Sequence, residues 1–177
     1  ANLNQKLNFN HPVKELIWVI RDTNFSTASL TATDATLNDA LIATGEGNDW
    51  FNYSGSALTS ANSANSVIAG EEANEPFTNM KLQLNGHDRF ATRNASYFRT
   101  CQPIQAGHKV PTKHIYCYSF ALKPEEHQPS GTCNFSRIDN AQMNFTGGGS
   151  GGTLIVFAVN YNVLRIMSGM GGLAYSN

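Results

Sequence analysis

Charged side chains are scarce in this sequence. Asp, Glu, Lys and Arg make up 14% of the 177 residues, whereas soluble proteins carry roughly 25%. The net charge is −1 at pH 7. This balance argues against a nucleic-acid-binding protein, which needs a basic surface to displace counterions from phosphates. Few charges and almost no net charge also leave little repulsion between molecules, so the composition favours a protein that associates with others.

Long apolar runs are also missing. The longest, Leu154–Val159, has six residues, while a membrane-spanning helix needs about 20. The sequence therefore predicts no transmembrane segment. No apolar stretch follows a basic one near the start, so a secretory signal peptide is not indicated either.

Paired cysteines are absent as well. Cys101, Cys117 and Cys133 are odd in number and include no Cys-x-x-Cys pair. A zinc site would need histidines at short spacing beside them, and none is there. The pattern favours free, partly buried thiols in a reducing compartment.

Small polar residues take the place of the missing charges, since 48 of the 177 residues are Asn, Ser or Thr. The 10% aromatic content argues against intrinsic disorder. The length fits one domain with its own core, so we expect residues 1–177 to form a single domain, with 1–12 as a linker segment.

Strand-like alternation dominates the chain. In Val13–Arg21, Leu16, Trp18 and Ile20 fall on one face. Residues 80–84 alternate Met80, Leu82 and Leu84 with polar residues and end at Asn85-Gly86, a hairpin turn signal. The remaining predicted strands are Ile115–Leu122, Asn134–Ile138, Ala141–Phe145 and, bent near residues 160–162, Thr153–Met167.

Helical patterns are few. Asp34–Ala43 has apolar residues at helical spacing, and a helical turn is expected around Tyr97–Thr100. The glycine-rich segment Gly147–Gly152 reads as a flexible hairpin loop. The sequence predicts an all-β fold, an eight-stranded antiparallel jelly-roll sandwich with a long loop over Asp22–Thr78 and at most short helices.

No catalytic pattern emerges from the ionisable residues. His87-Asp88 could orient an imidazole, but no activated nucleophile accompanies it. Glu125-Glu126-His127 lies between two prolines and reads as a solvated loop. Metal-binding jelly-roll enzymes use a close His pair, which this sequence lacks. We expect no enzymatic activity, no metal and no cofactor.

The charges are unevenly distributed along the chain. Residues 1–79 are acidic in balance and residues 80–177 are basic. Two interpretations remain open: acidic and basic faces of neighbouring subunits meet, or the two parts interleave within the fold and their charges cancel.

Several stretches are more specific than any pattern. They are NHPVKELIWV (10–19), LQLNGHDRF (82–90), YCYSFALKPEEHQPSGTCNFSRIDN (116–140) and FAVNYNVLRIMSGMGGLAYSN (157–177). With them, nearly the whole chain closely resembles the major capsid proteins of nucleocytoplasmic large DNA viruses, the algal-virus members in particular. The motif residues are His11, Pro12, His87, Asp88, Arg89, Lys123, Pro124, Glu125, Glu126, His127, Arg137 and Asp139.

The resemblance implies a structural role for this chain. Members carry two successive jelly rolls and form homotrimers of pseudo-hexagonal outline that tile an icosahedral shell. The matched stretches resemble the second, C-terminal jelly roll. Because the chain starts at Ala1, we expect a C-terminal part of a longer protein. The implied partners are other copies of the capsid protein, neighbouring capsomers and minor capsid proteins, in a virion assembled in the host cytoplasm.

Glycans are a further expectation from the resemblance. Algal-virus members are generally glycoproteins whose modification need not follow the standard sequon. The candidate positions are Asn52, Asn62 and Asn65 in the long polar loop. The same loop carries the aromatic residues Trp50, Phe51 and Tyr53, which supports an alternative interpretation as a carbohydrate-binding jelly roll.

Overall fold

The longest strand of the fold contains an unbroken apolar run, Leu16–Ile20. In a computed structural model, which describes residues 2–22, 53, 75–147 and 152–175, β2 runs from Pro12 to Asp22. The side chains of Leu16 and Trp18 are fully buried. Val13 is buried with them because a β-bulge lies between Val13 and Glu15 and restores the inward direction after three residues.

Eleven strand segments form within the described residues. They are β1 Leu3–Leu7, β2 Pro12–Asp22, β3 Asn79–Leu84, β4 His87–Asp88, β5 Arg93–Asn94, β6 Tyr116–Ser119, β7 Cys133–Asn134, β8 Ala141–Thr146, β9 Gly152–Asn160, β10 Leu164–Met167 and β11 Met170–Leu173. Some have only two residues, so the predicted count of eight is not confirmed. The antiparallel all-β class is confirmed.

The helical part is small. A π-helical turn, Tyr97–Cys101, leads directly into the short helix α1, Gln102–Gln105. This agrees with the helical turn expected around Tyr97–Thr100. The predicted helix Asp34–Ala43 and most of the predicted loop Asp22–Thr78 lie outside the described residues.

Two antiparallel sheets contribute to one core. The first has the order β1-β8-β3-β4, with β5 also paired to β3, and the second places β2 between β9 on one side and β6 and β7 on the other. Residues 3–7, part of the expected linker segment, are β1 and pair with β8. The hairpin β10–β11 is a separate two-stranded sheet.

Aromatic side chains connect the sheets. The ring of Phe77 lies 4.9 Å from that of Tyr116 in β6 and 5.0 Å from that of Phe145 in β8. Trp18 packs on Phe98 of the π-helical turn at 5.4 Å. Four of these five rings are at most 1% exposed, and the fifth, Phe145, is 2% exposed, so the core lies between the two sheets.

The strand β8 shows how the pattern sets the faces. Its residues alternate strictly between buried and half-buried, with Ala141, Met143 and Phe145 inward. On the other face, the amides of Gln142 and Asn144 both donate to Gln83 Oε1 of β3 at 2.7 Å. This polar ladder fixes the register of β3 and β8.

Three predicted elements differ from the structure. Asn134–Ile138 is not a strand: the Asn134 side chain accepts a hydrogen bond from the Ser136 amide at 3.1 Å, and Phe135–Arg137 is a 3-10 turn. Ile115–Leu122 is shortened to β6. Gly147–Gly152 is not a hairpin loop, because β8 and β9 belong to different sheets. The predicted turn at Asn85-Gly86 is confirmed, and both residues have positive φ.

Candidate functional site

The segment 123–131, which begins with the motif residues Lys123–His127, forms a closed loop. The Ser130 hydroxyl accepts from the Lys123 amide at 2.9 Å and donates to the Lys123 carbonyl at 3.2 Å. Pro124 is buried, and its carbonyl accepts from Lys14 Nζ of β2 at 2.5 Å. The loop is therefore closed on itself and anchored to the central strand.

Glu125 of this loop belongs to a cluster that the sequence did not reveal. Glu15 Oε2 lies 2.9 Å from His108 Nε2, and Glu125 Oε1 lies 3.3 Å from His108 Nδ1. The Glu15 side chain is 3% exposed, whereas that of Glu125 is 68% exposed. We call these three residues the Glu–His–Glu cluster; they are the one group among the described residues whose arrangement could hold a metal ion.

The acidic loop residues next to Glu125 behave as predicted for a solvated segment. Glu126 pairs with Lys123 at 2.9 Å on the surface. His127, Arg137 and Asp139 are exposed. Among the described residues, His127 does not belong to a group of side chains that could hold a metal ion.

His87, Asp88 and Arg89 lie on and after the short strand β4. The Asp88 carboxylate accepts from Gln83 Nε2 at 2.6 Å and from Lys81 Nζ at 3.2 Å. These two contacts, that of Gln83 first, lower the pKa of Asp88. The Asp88 carboxylate is thus bound by two β3 side chains.

A second ionic group lies inside the protein. Arg99 Nε donates to Glu75 Oε1 at 2.6 Å, with both side chains less than 10% exposed. The Tyr116 hydroxyl donates to the other Glu75 oxygen, and burial, followed by the Glu75 charge, raises the pKa of Tyr116. Burial lowers the pKa of the neighbouring His114. The group connects β6 and the π-helical turn to Glu75, where the described chain resumes.

His11 and Pro12 border a cavity of about 730 Å³ at the base of the hairpin β10–β11. His11 has φ 69°, in the left-handed region, and lies immediately before β2. Its amide donates to Ser136 Oγ at 2.9 Å, and its carbonyl accepts from the Phe135 amide at 3.1 Å. These bonds make it a structural corner.

The cysteines are free thiols, as predicted. Cys101 is exposed, Cys133 is half-buried and Cys117 is buried. Burial, followed by the charge of Glu15, raises the pKa of Cys117 to about 12, so this thiol is unreactive at neutral pH. The candidate glycosylation positions Asn52, Asn62 and Asn65 lie outside the described residues.

Seven of the twelve exposed large apolar residues of the described chain lie on or beside the hairpin. All eight residues of β10 and β11 are exposed. We define the apolar hairpin surface by its large apolar members, which are 54–75% exposed: Val163, Leu164, Ile166, Met167, Met170, Leu173 and Tyr175. Exposed apolar surface of this kind marks interaction sites.

The Glu–His–Glu cluster had one detectable signal. Glu15 is a lone carboxylate within the apolar strand VKELIWVIR, and buried carboxylates need a partner. The sequence around His108 carries no such signal, because its partner Glu15 is 93 residues away along the chain. The apolar hairpin surface was visible only as a β-rich segment, since periodicity does not show whether a strand is covered.

The chain matches known proteins along nearly its whole length. Residues 1–172 match the family described as large eukaryotic DNA virus major capsid protein. The chain is 45% identical to the major capsid protein of Pyramimonas orientalis virus, covering 97% of this chain and 38% of that one. It is 41% identical to that of Paramecium bursaria Chlorella virus 1, covering 100% and 44%.

Solved structures that resemble this fold come from the same family of proteins. A quasi-atomic model of the PBCV-1 virus capsid superimposes with a TM-score of 0.71 at 36% identity, covering 100% of this chain and 46% of that one. The chain thus spans less than half the length of the relatives that it matches. Its structural neighbours are viral capsid proteins with jelly rolls, and not the carbohydrate-binding modules of the alternative interpretation. No helix within the described ranges is both long and apolar enough to cross a membrane.

Proposed function

The chain belongs to the family of large eukaryotic DNA virus major capsid proteins, and on this premise we propose that it is the C-terminal jelly roll of a capsid protein with two. Its place is the capsid of the virion. The coverage of 38–46% supports the proposal, because it leaves room in the relatives for a second domain of similar size. In this proposal, residues 1–177 are one jelly-roll domain.

The assembly is the finer part of the proposal. Full-length subunits form homotrimers of pseudo-hexagonal outline, and these capsomers tile an icosahedral shell with neighbouring capsomers and minor capsid proteins. Assembly takes place in the host cytoplasm, and glycans at Asn52, Asn62 or Asn65 decorate the long loop. The protein binds no nucleic acid directly and has no catalytic role.

The apolar hairpin surface is the observation that carries the proposal. A chain that worked alone would expose apolar side chains such as Ile166 and Met170, at 68% and 75%, to water without benefit. Interface cores are apolar and poor in charge. Arg165 is the one charged residue between Val163 and Tyr175. This surface therefore fits burial against another part of the capsid assembly.

The outer face of β9 extends the same character. Leu154, Val156 and Ala158 pack against the core, so Ile155, Phe157 and Val159 alternate to the outside. Phe157 is 57% exposed. Stable interfaces bury about 800 Å² on each partner, an extent that needs a broad apolar side such as this one.

The proposal is tested by the oligomeric state of the full-length parent protein. We expect light scattering to give a trimer for the parent and a monomer, or weak association, for the 177-residue chain. The double variant Leu164→Lys/Ile166→Lys should abolish the trimer or the assembly of shells from it. Leu122→Lys is the matched control, since Leu122 is 80% exposed on the 116–140 segment.

Two results would contradict the proposal. One is a stable trimer of the 177-residue chain alone, which would show that a second jelly roll is not needed. The other is normal shell assembly by the double variant, which would show that the apolar hairpin surface is not buried there.

A further inference from the structure

The Glu–His–Glu cluster joins three separate parts of the fold. Glu15 comes from the outward face of β2, His108 from the segment after α1, and Glu125 from the closed loop 123–130. One ligand atom of each lies within 4.8 Å of the other two. The proposed capsid role does not account for this convergence.

Both ring nitrogens of His108 lie close to a carboxylate oxygen. Nε2 lies 2.9 Å from Glu15 Oε2, and Nδ1 lies 3.3 Å from Glu125 Oε1. A neutral imidazole has one N–H, so it can donate to only one of these carboxylates. The other nitrogen then presents a lone pair to a carboxylate oxygen, unless a cation lies between them.

The two distances have different meanings. The 2.9 Å contact is an ordinary N–H···O hydrogen bond. Two ligands bound tetrahedrally to zinc, each at about 2.0–2.1 Å from the ion, are about 3.3–3.4 Å from each other. The distance of 3.3 Å between His108 Nδ1 and Glu125 Oε1 matches this ligand-to-ligand distance. A carboxylate that accepts from the second nitrogen of a metal-bound histidine is a common arrangement that fixes the ring.

We propose that the cluster is a divalent transition-metal site, with zinc as the expected ion. His108 Nδ1 and Glu125 are its protein ligands, and Glu15 is a positioning residue that holds the ring through Nε2–H. Water completes the coordination. A divalent cation also balances the two carboxylates of the cluster when the imidazole is neutral, and the hydrogen bond from Lys14 Nζ to Pro124 O holds the backbone beside Glu125.

The ion would tie the loop 123–130 to the central strand. The Glu125 side chain is 68% exposed, whereas Glu15 is buried in the sheet. Metal binding would therefore stiffen a loop that carries the most specific part of the sequence. The site is structural and does not depend on the assembly proposed above.

The test uses the metal-free 177-residue chain. Titration with ZnCl₂ in a calorimeter should show one site per chain, and MgCl₂ should give none, because magnesium prefers oxygen ligands. At a tenfold excess of zinc over its dissociation constant, the melting temperature should rise by about 3–6 °C. Co²⁺ should give the intense visible absorption of a tetrahedral complex.

Variants separate the ligands from their surroundings. Glu125→Gln should lower zinc affinity at least about tenfold, the lower end of what loss of a neighbouring partner costs. Glu126→Gln is the matched control and should bind as the unaltered chain does. Glu15→Gln should weaken binding by about 10–100-fold if it folds, and the exposed Glu125 keeps the test open if it does not.

Absence of stoichiometric zinc binding, or equal affinity of the Glu125→Gln and Glu126→Gln variants, would overturn the proposal. The cluster would then be a set of polar contacts that holds the loop without a metal ion. Neither result would bear on the capsid role, which is tested by oligomeric state.

Discussion

Glu75 shows how single buried charges are accommodated in this protein. Its two oxygens are used by Arg99 and Tyr116, and all three side chains are largely buried. Removing one member of such a group leaves an uncompensated charge, which costs several kcal/mol. The sequence around Glu75 is acidic and unpatterned, so nothing local indicates that this carboxylate is an internal one.

His114 beside this group predicts a pH dependence. Its side chain is 4% exposed, its Nε2 has no hydrogen-bond partner in the described chain, and burial lowers its pKa below 6.5. The unfolded chain therefore takes up the proton first, and stability should fall as the pH drops below about 6.5. Denaturant unfolding between pH 7.5 and 5 measures this loss.

The control for this prediction is a pair of variants. His114→Gln should flatten the loss of stability with falling pH, whereas His127→Gln, at an exposed position, should leave it as it is. An unchanged slope in His114→Gln would assign the acid sensitivity to other groups.

Gly131 closes the motif loop against the end of β6. Its φ is +144°, and a Cβ there would lie 2.7 Å from the Phe120 carbonyl oxygen. Gly107 also has positive φ, at +83°, but a Cβ would meet nothing within 4 Å. We expect Gly131→Ala to cost at least about 1 kcal/mol more than Gly107→Ala in the free energy of unfolding, because overpacking adds to strain. Equal costs would show that the loop adjusts.

At the scale of elements, β2 organises the second sheet. It pairs with β6, β7 and β9, and its bulge at residue 14 places Lys14 where its carbonyl accepts from the Phe120 amide and its ammonium group reaches Pro124. The same bulge leaves Glu15 outward, facing His108. A single irregularity in one strand therefore positions both the motif loop and the Glu–His–Glu cluster.

The hairpin β10–β11 depends on little besides its own pairing. Among the strands of the described ranges, β10 and β11 pair only with each other, and the Ala174 amide donates to the Val163 carbonyl at 2.8 Å at the base of the hairpin. A two-stranded hairpin is marginally stable in water. In the isolated chain, we expect its amides to exchange hydrogen much faster than those of β3 and β8, as mass spectrometry after deuterium labelling would show.

Burial in the proposed assembly should remove this difference. The hairpin amides should become protected in the proposed full-length trimer, while those of β3 and β8 remain unchanged. Hairpin protection equal to that of β8 in the isolated chain would mean that the hairpin needs no further partner.

At the scale of the whole molecule, the charges interleave where they can be followed. The carboxylate of Glu75, in the acidic first part, pairs with Arg99 of the basic second part within one chain. This supports the interpretation in which the two parts cancel in the fold. Most other acidic residues of the first part lie outside the described residues.

The net charge of −1 leads to a prediction about the genome that a capsid encloses. Binding to DNA should be negligible at physiological salt, because a neutral surface releases few counterions from phosphates. Gel-shift titration of the 177-residue chain at 150 mM salt measures this. A submicromolar affinity would require a basic face that the composition does not indicate.

The fold was largely predictable because strand alternation is local. Met80, Leu82 and Met143 occupy alternate positions of their strands, and this period of two predicts that they point inward. The motif run 116–140 indicated the capsid-protein family and therefore the jelly roll. Two predictions failed for other reasons. The predicted strand Asn134–Ile138 is interrupted because the Asn134 side chain accepts a hydrogen bond from the Ser136 amide. The predicted hairpin at Gly147–Gly152 fails because β8 and β9, on either side of it, belong to different sheets.

The sequence by itself determined the all-β class, the central strand β2, the family and the low content of charged residues. Only the tertiary structure decided which residues meet. Glu15 and His108 are 93 residues apart, and no local period reports a partner at that distance. It also decided that the apolar residues of β10 and β11 face solvent, since a strand's pattern records its faces and not what covers them.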